Sequence, residues 1–311
     1  MSHLRKPRFQ RAPEIASIQL TERDRMIVRC VFQHRFLRSW QIAALVGGSK
    51  QAVLRRLQLL YHHGYLERPR AQIEYFQPGG SRAFAYGLAD RGAELLRLTE
   101  TPSLRALEWS AKNRAVKHLF LEHALLVSDV MVSLELACRQ HDGVRFLNSD
   151  ELPLPAATRS RLELEPFRWK VSLNGGTRLG VVPDCVFGLE FADQPPDRNH
   201  AYFFLEADRG TMPITRSGLH HSSFHRKFLA YEATWLQELH RKHFGFHRFR
   251  VLTVTTSTDR LKHLIEACRQ LERGQGLFLF ADATGFLAVP DPLVFTWQSA
   301  RGEQTTRLDD K

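Results

Sequence analysis

The sequence predicts an α/β (α+β) protein in two parts: a basic domain of short helices with a hairpin, then a mixed sheet flanked by helices. Three observations carry this expectation. Charge divides along the chain, with 21 Lys or Arg against 9 Asp or Glu in residues 1–120 (net +12) and 23 against 24 in residues 121–311 (net −1). Apolar residues in the first third recur at helical spacing, as in TERDRMIVRCVFQHRF. Later segments alternate short apolar runs such as Tyr202–Leu205 with strand-turn-helix patterns such as VLTVTTSTDRLKHLIEAC, which suits a covered mixed sheet.

The length of 311 residues suffices for two separate cores. Four cysteines (Cys30, Cys138, Cys185, Cys268) lack any CxxC pair, which argues against a zinc or disulfide framework and fits a reducing, cytoplasmic setting. No apolar run approaches the roughly 20 residues of a spanning helix, and MSHLRKPRFQR lacks the apolar middle of a signal peptide, so no membrane is expected. Clustered cations in the first third point to a polyanion, since counterion release rewards them; the bland alternative is a solubilising surface.

Residues 1–20 form a basic arm, and 21–99 a DNA-binding domain. Thr21 is a hydroxyl N-cap for a first helix that buries Ile27, Val28, Val31 and Phe32. SWQIAALVG makes a second helix with Ile42 and Leu45 inward, ended by Gly47 and Gly48. Ser49 caps a third, SKQAVLRRLQLLYHHG, with Val53, Leu57 and Leu60 as its buried seam. On its opposite face Gln51, Arg55, Gln58 and His62 form a polar stripe flanked by Lys50 and Arg56. Arg and Gln can pair bidentately with guanine and adenine edges in the major groove of double-stranded DNA. The hairpin from Tyr65 to Ala89 then carries Arg68 and Arg70 at its base and Arg82 at its Pro-Gly-Gly tip, as a wing over phosphates would. Together these elements read as a winged helix-turn-helix.

Asp90 caps a further helix, and the basic, weakly patterned residues 100–116 read as a linker or as a helix resting on the duplex. Residues 117–300 form the second domain, opening with a long apolar helix over 117–139 in which Glu122, His123 and Asp129 are satisfied boundary residues, and 301–311 a loose tail. TRLGVVPDCVFGLEF places Asp184 inside an otherwise apolar strand. In YFFLEAD, Glu206 and Asp208 share one strand face and repel unless a cation or proton intervenes. The turn-rich ADQPPDRNH lets the two strands pair, so Asp184, Glu206 and Asp208 converge. Three such carboxylates are suited to Mg²⁺ or Mn²⁺, which polarises a phosphate and lowers the pKa of an attacking water.

Pro183-Asp184 followed by Glu206-Ala207-Asp208 resembles the PD-(D/E)XK nuclease motif. With LTERDRMIV, the helix around His123, YFFLEADRGT, RKFLAYEA and FRVLTVTTSTDRLKHLIEAC, the wider pattern resembles the replication-relaxation family of plasmid and mobile-element proteins over roughly residues 18–275. The resemblance implies a winged helix joined to a nuclease-like core, acting in plasmid replication and DNA relaxation with replication or transfer proteins as partners. Asp208 stands where the nuclease motif has lysine. Lys227 is the substitute: it shares a helix face with Tyr231 at i and i+4, and some nucleases of this fold supply the lysine from that neighbouring helix.

The histidines at 220, 221, 225, 240, 243 and 247 lack the carboxylate or cysteine partners of a zinc set and read as basic surface. Two functions follow. Either the core is a metal-dependent endodeoxyribonuclease with Asp184, Glu206, Asp208, Lys227 and Tyr231 at its centre, or the chain is a non-enzymatic regulator or replication-accessory factor. In that case the core serves a homodimer that presents two recognition helices about 34 Å apart.

Overall fold

The computed structural model describes residues 8–13, 17–76, 83–99, 108–162, 167–173, 176–301 and 305–308. Two compact units divide the chain between Val132 and Ser133. The structure is mixed α/β.

The first unit begins with α1 (Glu22–His34), where Thr21 and Asp24 form a reciprocal capping box that satisfies the open N–H groups of the first turn. Ile27, Val28 and Val31 are fully buried. There follow β1 (Phe36–Arg38), α2 (Ser39–Val46) and α3 (Lys50–His62), whose seam Val53, Leu57 and Leu60 is buried as its spacing predicts. Gly47 (φ 67°) and Gly64 (φ 77°) supply the left-handed backbone beyond α2 and α3.

The expected hairpin is reduced to β2 (Leu66–Glu67) and β3 (Ala85–Leu88), which with β1 make a sheet of order β1-β3-β2. Residues Arg70–Phe76 form a 3₁₀ turn instead of a strand. The physical reason lies in Gln72, whose buried amide donates to the Ala85 carbonyl (2.9 Å) and accepts from its N–H (2.8 Å), occupying the groups a longer strand would pair. The expected turn 77–82, Arg82 included, lies outside the described residues.

After α4 (Asp90–Thr99) comes α5 (Trp109–Arg114), inside the stretch read as a linker. Asn113 donates to Leu88 O at 2.8 Å, and Ser110 and Asp90 exchange two hydrogen bonds at 3.1 Å, so α5 is tied to the sheet. The long helix α6 (His118–Cys138) begins in the first unit and ends in the second. Leu121 and Leu125 pack with Phe36, Ser128 donates to Phe36 O at 2.7 Å, and Asp129 pairs with Arg38 and accepts from Gln41 at 2.9 Å. The compact first unit therefore extends to 132, past the boundary at 117 that composition suggests.

The second unit comprises β4 (Val144–Leu147), α7 (Ala156–Leu162), β5 (Trp169–Ser172), β6 (Arg178–Val181), β7 (Cys185–Phe191), β8 (His200–Asp208), α8 (Phe224–Leu236), α9 (Leu239–Phe244), β9 (Arg250–Thr255), α10 (Thr258–Arg269), β10 (Phe278–Asp282), α11 (Ala283–Ala288), β11 (Trp297–Ser299) and β12 (Thr305–Thr306). Its main sheet has order β12-β11-β10-β9-β8-β7-β4; β8, β9 and β10 run parallel, and the other pairings are antiparallel. The tail read as loose thus supplies edge strand β12, and Leu308 is buried. β5 and β6 form a separate two-stranded sheet. The run TRLGVVPDCVFGLEF splits there, because Pro183 has no N–H to continue a ladder.

One face of the main sheet carries Tyr202, Phe204, Val251 and Phe278, packed with Trp169 and with Phe228 and Tyr231 of α8 and Leu261 and Leu264 of α10. Phe204 lies 5.2 Å from Trp169 and 5.7 Å from Tyr231, ring to ring. That aromatic layer fixes α8 over the ends of β7 and β8, where the acids lie.

Candidate functional site

Alternation along β8 puts Glu206 and Asp208 on the face of Phe204, beneath α8. The β7–β8 register pairs Cys185 with Leu205, so Asp184, just before β7, stands across from Glu206. Asp184 N–H donates to Leu205 O at 3.0 Å and its Oδ2 accepts from Ala207 N–H at 2.8 Å. The acid thus sits at the leading end of the strand and not within it.

Glu206 is 2% exposed. Its Oε1 accepts from the Tyr231 hydroxyl at 2.6 Å, and its Oε2 from the Lys227 ammonium. The i, i+4 spacing of Lys227 and Tyr231 brings both onto one carboxylate, on a helix whose first turn is capped by Ser223 accepting from Arg226 N–H. Burial, reinforced by the charge of Asp184, pushes the Glu206 carboxyl up to about 7, although Lys227 and Tyr231 oppose the shift. For Lys227 burial works downward, but Glu206, Asp184 and Asp208 outweigh it and the ammonium is held above its ordinary range. Tyr231, 1% exposed, is raised well above its ordinary value by burial and then by Glu206.

Asp208 belongs to a different arrangement. Its Oδ2 accepts from Arg260 Nε (2.7 Å) and the Thr255 hydroxyl (3.0 Å), and its Oδ1 from Arg260 Nη2 (3.2 Å) and Gly210 N–H (3.0 Å). Thr255 is its register neighbour on β9, and Arg260 also donates to Met212 O. The three acids expected to share one cation therefore divide into Asp184 with Glu206, facing Lys227, and Asp208, held by a guanidinium. Among the described residues no group of three His, Cys, Asp or Glu is gathered as a metal set. Asp184 and Glu206 are the oxygen donors that fit a hard divalent ion, which can bind through one or two carboxylates with water and phosphate in the remaining places.

Sequence reading did not assign Thr253, Thr255 and Arg260. Thr253 and Thr255 lie beside Glu206 and Asp208 in the β8–β9 register, and Thr253 is fully buried with no hydrogen-bond partner for its hydroxyl. The alternating threonines of VLTVTT were the available signal, but their register partners were not.

In the first unit, Ser49, Lys50, Gln51 and Arg55 are exposed at and along α3, Gln58 is half-buried, and Arg70 is exposed. Ser49 holds the N-cap position without a side-chain cap bond. Three other expected contact residues are engaged within the unit. Arg56 binds Asp24 through Nε (2.8 Å) and Nη2 (2.5 Å) and reaches Gln19 O at 3.0 Å. His62 is buried and accepts from Ala12 N–H at 3.1 Å. Arg68 is 5% exposed, lies over the rings of Tyr61 (4.2 Å) and Phe84 (4.5 Å), and donates to Tyr86 Oη and Arg8 O. What the structure leaves open to solvent is a narrower stripe than composition suggests.

Among the described residues no helix is long and apolar enough to cross a membrane. A family model described as replication-relaxation matches residues 28–248. No curated protein and no solved structure matches the chain.

Proposed function

Because the chain belongs to the replication-relaxation family, we propose that it is a DNA-binding protein of a plasmid or other mobile element and acts in replication by nicking duplex DNA. The observation that carries this reading is the meeting of Lys227 with the Glu206 carboxylate, across the strand pair from Asp184.

Docking falls to the first unit as a winged helix. Lys50 and Arg55 suit phosphate or guanine, and Gln51 suits adenine, on a helix whose buried seam leaves that face to the groove. In the second unit Asp184 and Glu206 would hold Mg²⁺ or Mn²⁺, which when bound polarises the scissile phosphate and acidifies a water. Lys227 keeps its proton across the physiological range and offers positive charge where negative charge develops on the phosphate. Tyr231 orients Glu206 by its hydrogen bond; its raised pKa and burial make it a poor covalent nucleophile. Asp208 and Arg260 brace the end of β8 against α10, so Asp208 positions the strand and does not serve as a ligand.

A second reading, a non-enzymatic regulator or replication-accessory factor that dimerises through the core, is favoured by the near-complete burial and full pairing of Glu206 and Asp208. One assay separates them. Supercoiled plasmid is incubated with the full chain and Mg²⁺ or Mn²⁺, beside Glu206→Ala and Lys227→Ala, with duplex binding measured on the same samples. Open-circle product that falls at least about 100-fold in both variants, with binding retained, supports the nickase. Binding without cleavage in the wild type as well overturns it in favour of the regulator.

A further inference from the structure

At the opposite end of β8 from the acids, where β8 and β9 begin, the second unit carries a cleft of about 1120 Å³. Tyr202 at its wall precedes Glu206 by four strand residues, roughly 13 Å. Six arginines line it: Arg241, Arg248, Arg250, Arg273, Arg301 and Arg307. Among the described residues that line it, two acids, Glu238 and Glu272, stand against them. The sequence from 121 onward is otherwise balanced, with 23 basic and 24 acidic residues. Six of those 23 cations meet in one concavity, and a surface that is merely solvated has no reason to gather them there.

Arg241, Arg248, Arg250, Arg273 and Arg301 are only weakly neutralised. Arg241 reaches Glu238 at 3.2 Å, an exposed pair of small energetic consequence. Arg248, Arg273 and Arg301 are exposed. Arg250 donates to Gly276 O, which fixes its guanidinium at the rim. Burial, with Arg248 as a like-charged neighbour, lowers the Arg250 pKa, and burial followed by Arg248 does the same for His247. The cleft also presents an aromatic face, since Trp235 is 38% exposed at its edge beside the likewise exposed Leu236. Arginines along a groove with an exposed indole match the chemistry that holds a single strand, cations on successive phosphates and a ring under a base.

We infer that this cleft binds single-stranded nucleic acid, the phosphodiester backbone following the arginines and a base stacking on Trp235. The site is separate from the carboxylate pair and requires no cleavage there. Such a surface suits a protein whose DNA target is opened, because it retains the exposed strand.

The test uses the full chain and a fluorescein-labelled 12-nucleotide oligothymidylate, read by anisotropy across a salt series, with a labelled duplex in parallel. Arg248→Glu combined with Arg301→Glu is expected to weaken single-strand binding at least tenfold and to reduce the slope of log K against log salt by about 1.4, at about 0.7 per lost phosphate contact. Trp235→Ala weakens it several-fold without altering the slope. Duplex binding changes less than twofold in both. Unchanged single-strand affinity in the arginine variant, with its circular dichroism intact, overturns the inference; equal losses for strand and duplex overturn it too and make the cleft a duplex contact.

Discussion

Two glutamates, one in each unit, are equally buried at 2% exposure and yet sit in opposite electrostatic situations. Glu67 in the first unit meets two guanidiniums, Arg11 at 3.0 Å and Arg114 at 2.8 Å, and also accepts from Arg68 N–H at 3.0 Å. Glu206 in the second unit shares one ammonium with a neighbouring acid, Asp184, and takes its other hydrogen bond from a neutral hydroxyl. Burial therefore does not by itself single out a functional acid. What separates the two is the charge around each carboxylate: Glu67 lies between two guanidiniums and ties chain segments together, whereas Glu206 lies between one lysine and the like charge of Asp184.

The comparison can be broken at Glu67 first. Removing both partners, Arg11→Ala with Arg114→Ala, strands a buried carboxylate and is expected to cost about 3 kcal/mol in urea unfolding. That is the low end for such a break, because the guanidiniums are 29% and 39% exposed. A loss below 1 kcal/mol would mean that Glu67 is not held by charge. At Glu206 the expected effect is of similar size but depends on pH. Its folded pKa of about 7 lies above the ordinary 4.5, so the folded chain binds more protons between those values and stability falls as pH rises through that window. The fall amounts to about 3 kcal/mol, and Glu206→Gln should flatten it, leaving the variant the more stable protein near pH 8; a slope unchanged in the variant would place its origin elsewhere.

Smaller effects sharpen the contrast. Asp184→Asn withdraws the like charge, so the upper end of the sloping window should move down from pH 7 while the lower end stays. An immobile upper end would show that burial alone sets the Glu206 shift. Arg114→Ala alone should cost about 1 kcal/mol or less, since Arg11 remains. The double variant then exceeds the sum of the singles, a coupling that a double-mutant cycle measures directly.

Much of the candidate site is legible in local pattern. Alternation in YFFLEAD places Glu206 and Asp208 on one face, and helical spacing in RKFLAYEA places Lys227 and Tyr231 on another. The buried seam of α3 and the cap at Thr21 follow from the same periodicities. Those rules are local and state which way a side chain points along its own element. They do not state what it meets. Arg56, His62 and Arg68 share their polarity with Gln51 and Arg55, but Asp24, Ala12 and Tyr86 receive them only once the chain has folded. Gln72 likewise converts an expected strand into a 3₁₀ turn by taking the Ala85 backbone for itself.

Composition and periodicity alone establish the basic first third, the mixed α/β class, the shared face of the two acids, and the lysine and tyrosine one helical turn apart. Folding is what closes Lys227 and Tyr231 on Glu206, turns Asp208 to Arg260, and lines one cleft with six arginines from separated segments. Periodicity is a property of neighbours along the chain, whereas charge pairing depends on strand register and on how α8 and α10 settle against an aromatic layer, which residues far apart in sequence determine together.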